Sequence, residues 1–127
     1  MAKEKTGGGT FEVRYTFTVS AAHQIPGYPE PLHGHNFTIT VAVEGRELDR
    51  FGFLLDFYRL REICEEVREG LDHTSLNETE YFRNNPPSAE NLARYVAEKV
   101  ATKLPEGIAL SYVEVVELPG CSVRFIP

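Results

Sequence analysis

The chain has 127 residues, of which 42% are hydrophobic, and a formal net charge of −6 at pH 7. This length fits one domain, and the apolar fraction is high enough for a packed core, which argues against a wholly disordered chain. Acidic and basic residues are mixed, whereas a phosphate-binding surface needs clustered Lys and Arg, so we expect no nucleic-acid partner. No apolar run reaches membrane-spanning length, and we expect no membrane partner.

The chain divides into a short head and one larger unit. Residues 1–9, MAKEKTGGG, predict a flexible N-terminal segment, and residues 10–127 predict a single domain. Two cysteines, Cys64 and Cys121, lie far apart and form no CxxC pair. Since the chain also opens without a signal-peptide pattern, we expect a reducing compartment and predict a cytoplasmic protein.

The first part of the predicted domain alternates between apolar and polar residues, which indicates strands with one buried face. The apolar positions of the first strand are Phe11, Val13, Tyr15, Phe17 and Val19. After the loop QIPGYPEP, the apolar positions of the second strand are Phe37, Ile39, Val41 and Val43. The two strands are expected to pair as an antiparallel hairpin.

Two helices and two further strands follow. Asp56 and Ser88 are suited to cap the helices, because their side chains accept hydrogen bonds from free N–H groups of the first turn. The helical stripes are Leu60, Ile63, Cys64, Val67 and Leu71, then Leu92, Tyr95, Val96, Val100 and Leu104. Strands are predicted near residues 109–117 and 122–126, and the segment between the helices reads as a polar loop.

The resulting order predicts an α+β fold. We expect a four-stranded antiparallel sheet, with two helices inserted between strands 2 and 3 and lying on one face. Such a sheet has open edges and supports only a modest core. Self-association would cover those edges, so we predict a homo-oligomer.

Three of the four histidines are expected to converge. His33 and His35 continue the odd-numbered positions of the second strand, and His23 continues those of the first. A hairpin that closes through residues 24–32 brings the three imidazoles together at one end of a sheet face. Three histidines without a fourth protein ligand are typical of catalytic zinc, because the open position holds water or substrate. The alternative is that HGH holds ordinary hydrogen-bonded residues, and a bulge would turn one side chain away.

Five motifs occur in a fixed order and together carry a family resemblance: AAHQIPG…LHGHNF, LLDF, LDHTSLN, PSAENLA and VVELPG. They resemble the 6-pyruvoyl-tetrahydropterin synthase and 6-carboxy-tetrahydropterin synthase family over nearly all of the chain after residue 10. The resemblance implies the tunnelling fold, or T-fold. It also implies trimers and commonly hexamers, with active sites between subunits.

The resemblance further implies roles for individual residues. Zinc would be held by His23, His33 and His35. Asp72 and His73, in LDH, would assist proton transfer, and Glu117 would anchor the pterin through its 2-amino and ring N–H groups. Such a carboxylate gives bidentate, charge-assisted recognition. The alternatives are that Glu117 is an exposed residue at a strand end and that Asp72 only ends the helix.

The chain departs from the family pattern between His23 and His33. Members that make pyruvoyl- or carboxy-pterins carry a Cys a few residues before HGH, and here that segment contains none. Glu30 stands three positions before His33 instead, which resembles the type III subgroup. That subgroup cleaves 7,8-dihydroneopterin triphosphate to 6-hydroxymethyl-7,8-dihydropterin for folate synthesis. A carboxylate is a sufficient base there, because zinc acidifies the substrate hydroxyl.

Two other interpretations stay open. The chain could be a carboxy- or pyruvoyl-pterin synthase with an unusual base. It could also be a zinc- and pterin-binding T-fold protein without catalysis, in which the missing Cys marks lost activity. For Glu30 itself, the alternative is a solvated loop residue beside a site that has simply lost its Cys.

Overall fold

The computed structural model describes residues 8–127. Most of the predicted flexible segment, residues 1–7, therefore lies outside the described residues. The strands are β1 (Phe11–His23), β2 (His33–Gly45), β3 (Thr74–Ser75), β4 (Ala109–Leu118) and β5 (Cys121–Phe125). The helices are α1 (Phe57–Glu69), α2 (Glu80–Asn84), α3 (Ala89–Ala101) and a 3₁₀ turn at Leu76–Glu78. Between residues 8 and 127, no helix is both long and apolar enough to cross a bilayer.

The predicted hairpin forms over the full length of both strands. β1 and β2 pair antiparallel in an unbroken register that runs from Phe11 opposite Gly45 to His23 opposite His33. The odd-numbered residues face the helices and form the centre of the core, including Phe17, Val19, Phe37, Ile39 and Val41. β4 pairs with β2 and β5 with β4, both antiparallel, as predicted.

Both predicted helix caps are present. The Asp56 carboxylate accepts a hydrogen bond from the Tyr58 N–H before α1, and the Ser88 hydroxyl accepts one from the Asn91 N–H before α3. α1 packs on β1, while α3 packs on β4 and β5. The apolar stripes of the two helices are buried against the same face of the sheet, which agrees with the predicted layering.

The structure corrects the prediction in two places. The sheet has five strands in the order β3-β1-β2-β4-β5, and β3 is parallel to β1, so a four-stranded, fully antiparallel sheet is wrong. The predicted loop between the helices also contains α2 and the 3₁₀ turn. A two-residue strand has no periodicity to detect. It forms because the backbone of Ser20 bonds to both the Asp72 carboxylate and the His73 N–H, which brings the chain alongside β1.

Candidate active site

The three histidines His23, His33 and His35 lie together at one end of the β1–β2 hairpin. His23 and His33 are direct cross-strand partners, and His35 is two residues further along β2 on the same face. The ring centroids are 4.8 Å apart for His23 and His33, 5.2 Å for His23 and His35, and 4.7 Å for His33 and His35. The structure thus brings together the three residues whose convergence was expected from strand parity.

Two of the rings are oriented by backbone carbonyls. His23 Nδ1 lies 2.7 Å from the carbonyl oxygen of Pro87, and His33 Nδ1 lies 2.7 Å from that of Pro31. A carbonyl oxygen can only accept, so Nδ1 carries the proton in both rings. In the neutral form of such a ring, Nε2 carries the lone pair that can bind a metal. This arrangement, with the second nitrogen bonded to a carbonyl, is usual for histidines that bind metals.

The free nitrogens fit a metal ion. Potential ligand atoms of the three side chains lie within 4.8 Å of one another, so small ring movements bring them onto one ion. Within residues 8–127, the buried Nε2 atoms of His23 and His35 have no hydrogen-bond partner. Burial lowers the pKa of His35, while the Glu117 carboxylate acts in the opposite direction. A neutral imidazole is the form that binds metal, so this donor set suits zinc.

Glu30 lies beside this cluster. Its Oε2 atom is 3.9 Å from His33 Nε2, and about half of its side chain is exposed. The loop that carries Glu30 is held in place, because the Glu30 N–H donates to the Tyr28 carbonyl at 2.8 Å. Pro31, the next residue, orients His33. The same short segment therefore presents a carboxylate and fixes one histidine.

Asp72 and His73 follow α1 and lie next to β1. The Asp72 carboxylate accepts from the Ser20 N–H at 2.8 Å and from Arg68 Nη2 at 2.9 Å. The Ser20 N–H is the main cause that lowers the pKa of Asp72; burial opposes it, and Arg68 and His73 add to the lowering. His73 Nε2 is 3.4 Å from Asp72 Oδ2, and 82% of the His73 side chain is exposed. His73 also has a left-handed backbone, with φ 59°.

One shallow cleft lies between His73 and His35 at the edge of the sheet formed by β1 and β3. It has a volume of about 340 Å³, and its lining includes His35, Asn36, His73 and Thr74. Glu117 lies on the same face of the sheet, with Oε2 3.7 Å from His35 Nε2. Five predicted site residues therefore lie together at one end of the sheet: His23, Glu30, His33, His35 and Glu117. Asp72 and His73 lie beside Ser20 on the outer edge of β1, and His73 shares the cleft with His35.

Sequence reasoning missed several residues that hold this site. The Pro87 carbonyl contacts His23, and Arg68 contacts Asp72. A backbone acceptor leaves no pattern in the sequence, whereas the four-residue spacing of Arg68 and Asp72 is a usable signal at a helix end. Neither cysteine shows the surroundings of an activated thiol: Cys64 is buried, which raises its pKa to about 12, and Cys121 is an exposed residue that begins β5.

A family model described as 6-pyruvoyl tetrahydropterin synthase matches residues 12–126. The chain belongs to this family. It is 35% identical over 97 residues to a dihydroneopterin monophosphate aldolase of Pyrococcus furiosus, which covers 76% of this chain and 80% of that protein. It is 36% identical over 103 residues to a 6-carboxy-5,6,7,8-tetrahydropterin synthase of Bacillus subtilis. That match covers 75% of this chain and 68% of the Bacillus subtilis protein.

The fold agrees with this assignment. The structure of the Caenorhabditis elegans 6-pyruvoyl tetrahydropterin synthase matches with a TM-score of 0.82 at 22% identity, covering 94% of this chain and 96% of that one. The α+β architecture is therefore the T-fold of the family, as predicted. The family resemblance of the five motifs is confirmed as well.

Proposed function

We propose that this protein is a zinc-dependent lyase that cleaves the C1′–C2′ bond of 7,8-dihydroneopterin triphosphate, giving 6-hydroxymethyl-7,8-dihydropterin for folate synthesis. One observation carries the proposal. The carboxylate of Glu30 stands 3.9 Å from a nitrogen of the histidine cluster, in the segment where cysteine-using members have their Cys. A carboxylate at that place is suited to take a hydroxyl proton, which is what carbon–carbon cleavage needs.

The reaction balances without an oxidant or a reductant. Glu30 removes the proton of the C2′ hydroxyl, and C2′ becomes an aldehyde carbon as the C1′–C2′ bond breaks. The electron pair of that bond passes into the pterin ring. C1′ then receives a proton and becomes the hydroxymethyl group, while glycolaldehyde leaves with the phosphate chain. Zinc held by His23, His33 and His35 would polarise the side-chain oxygens of the substrate and lower their pKa.

The remaining residues have distinct roles in this proposal. Asp72 stays ionised beside Arg68 and supports the exposed ring of His73, which delivers or collects protons in the cleft. Glu117 accepts hydrogen bonds from the 2-amino and ring N–H groups of the pterin. Its side chain is 29% exposed, so a ligand can reach it. Buried Cys64 takes no part.

Two relatives bear on the choice of reaction and substrate. The name of the Pyrococcus furiosus relative supports carbon–carbon cleavage and favours a monophosphate as a further substrate. The name of the Bacillus subtilis relative favours 6-carboxy-tetrahydropterin formation, which is the second candidate function. Since both relatives are almost equally similar to this chain, the side chain at the base position is the better guide.

The test is to incubate the pure protein separately with the triphosphate and the monophosphate of 7,8-dihydroneopterin and to identify pterin products by mass. The proposal expects 6-hydroxymethyl-7,8-dihydropterin from the triphosphate. A 6-carboxy or 6-pyruvoyl product would support the second candidate. Pterin binding without any product would support a non-catalytic protein. A product formed from the monophosphate alone would show that the monophosphate, and not the triphosphate, is the substrate.

We also infer a homo-oligomer, a trimer or hexamer, with active sites between subunits. Within residues 8–127, no strand pairs with the outer side of β1 along residues 11–17, and β5 forms the other edge of the sheet. Tyr15 on β1 and Phe125 on β5 lie at the same height in the sheet. Tyr15 pairs with Val41, Val41 with Val113, and Val113 with Phe125. A second copy can therefore add its β5 edge to the β1 edge at matching height.

An apolar groove next to the β1 edge supports this assembly. The groove has a volume of about 550 Å³ and is lined mainly by apolar side chains of β1, the segment 48–56 and the start of α1. Phe11, Phe53, Phe57 and Tyr58 in its wall are each about half exposed or more. Such contiguous apolar surface is typical of an interface.

The two free thiols fit the predicted cytoplasmic location.

A further inference from the structure

The end of β1 at the histidine cluster needs a lateral partner on its outer side. β3 supplies one only for Ala21 and Ala22, which lie opposite Thr74 and Ser75. After Ser75 the backbone turns into the 3₁₀ helix and cannot continue the ladder. Residues 23 and 24, immediately beyond, would be left without a neighbour on that side.

The side chain of Asn77 takes the place of the missing strand. Its Oδ1 accepts from the Gln24 N–H at 2.8 Å, and its Nδ2 donates to the Gln24 carbonyl at 2.7 Å. Both backbone groups of one residue are thus satisfied by one planar amide, as a neighbouring strand would satisfy them. An amide side chain offers a donor and an acceptor together, whereas a carboxylate lacks the donor and alanine lacks both.

The residue held in this way directly follows a predicted metal ligand. His23 is the last residue of β1, is only 3% exposed, and has its ring fixed by the Pro87 carbonyl. Asn77 also lies four residues after His73, on the segment that carries the Asp72–His73 pair. The two hydrogen bonds between Asn77 and Gln24 therefore connect the segment of His23 with the segment of Asp72 and His73. Gln24 and Asn77 are 53 residues apart in the sequence.

We propose that Asn77 is a positioning residue that sets the zinc affinity of the three-histidine site by fixing the end of β1. The inference rests on the proposed zinc site, and it does not depend on which reaction the protein catalyses. Residues that orient a metal ligand through a hydrogen bond typically change metal affinity by about 10–100-fold when replaced. Asn77 acts one residue away from the ligand, so the lower part of that range is expected for its removal.

The test is zinc affinity, measured by competition with a chelator of known strength, for the parent, Asn77→Ala and Asn77→Asp. Asn77→Asp keeps the shape of the side chain but lacks the N–H donor. It takes the place of Asn77→Ala in the test if Asn77→Ala does not fold. The matched control is Asn85→Ala, because Asn85 is also half-buried and donates one structural hydrogen bond, to the Tyr81 carbonyl at 2.9 Å. Thermal unfolding of the zinc-free proteins shows how far each change acts on stability alone.

Both Asn77 variants are expected to bind zinc about 10-fold more weakly than the parent, while Asn85→Ala stays within about twofold. Parent-like affinity in a folded Asn77 variant would overturn the inference and leave the zinc site intact. An equal loss in Asn85→Ala would also overturn it, because the effect would then be general destabilisation. A parent protein that binds no zinc would remove the proposed site itself, and this inference with it.

Discussion

His23 and His33 stand directly opposite each other on the last rung of the β1–β2 ladder, with their rings 4.8 Å apart. Cross-strand partners are placed by backbone pairing, so this geometry does not depend on a flexible loop. The loop of residues 24–32 then adds Glu30 to the same place. A site built on strand ends needs little ordering when a ligand arrives, which favours tight metal binding.

The first prediction concerns metal content. Protein purified without added zinc is expected to contain about one zinc per chain, the stoichiometry of a three-histidine site. The double variant His33→Ala, His35→Ala should lose it, because two of three ligands are gone. His73→Ala is the control and should keep its zinc, since His73 is not one of the three. Elemental analysis of the purified proteins measures the zinc content. A full zinc content in the double variant would show that the three histidines do not form the zinc site.

The sequence predicted the parts of this site that depend on strand periodicity. His23, His33 and His35 share the parity of buried neighbours such as Val19 and Phe37, so their common face could be inferred. The position of Asp72 and His73 beside β1 could not be inferred from the sequence pattern, because it depends on β3 and on hydrogen bonds to the Ser20 backbone. Contacts of this kind carry no repeat and no fixed spacing. The family resemblance supplied those residues instead.

The second prediction concerns the pH dependence of stability. The folded-state pKa of Asp72 is lowered, chiefly by the Ser20 N–H. Its stabilising effect is therefore present above the unfolded-state pKa of about 3.9 and is lost as pH falls through the folded value. Asp72→Asn should be less stable than the parent at neutral pH, and the difference should be smaller at about pH 3, below the unfolded-state pKa. Urea denaturation at both pH values measures this, and a constant difference would refute it.

The third prediction separates substrate binding from catalysis. Glu117→Ala should weaken pterin binding by about 10–100-fold, because hydrogen bonds to a charged group contribute about 1.5–3 kcal/mol. Turnover should fall as well. The control is Glu114→Gln, on the same strand, where the carboxylate contacts Arg124 at 3.1 Å. Pterin fluorescence titration gives the affinities, and unchanged binding in Glu117→Ala would place the anchor elsewhere.

The fourth prediction concerns assembly. Light scattering at micromolar concentration should show a trimer or a hexamer. The double variant Phe57→Asp, Tyr58→Asp should dissociate, since it puts two charges into the apolar groove beside β1. Activity should fall with dissociation, because the proposed sites lie between subunits. A monomeric protein with full activity would contradict the proposal.

The most direct test of the account is the rate at which Glu30→Gln forms 6-hydroxymethyl-7,8-dihydropterin from dihydroneopterin triphosphate. This change keeps the shape of the side chain and removes the base, so zinc content and pterin binding should match the parent. We predict that turnover falls by about 10²–10⁴-fold, the usual contribution of a general base. Formation of the product at the parent rate would contradict the account, and Asp72 with His73 would then be the next candidates for the base.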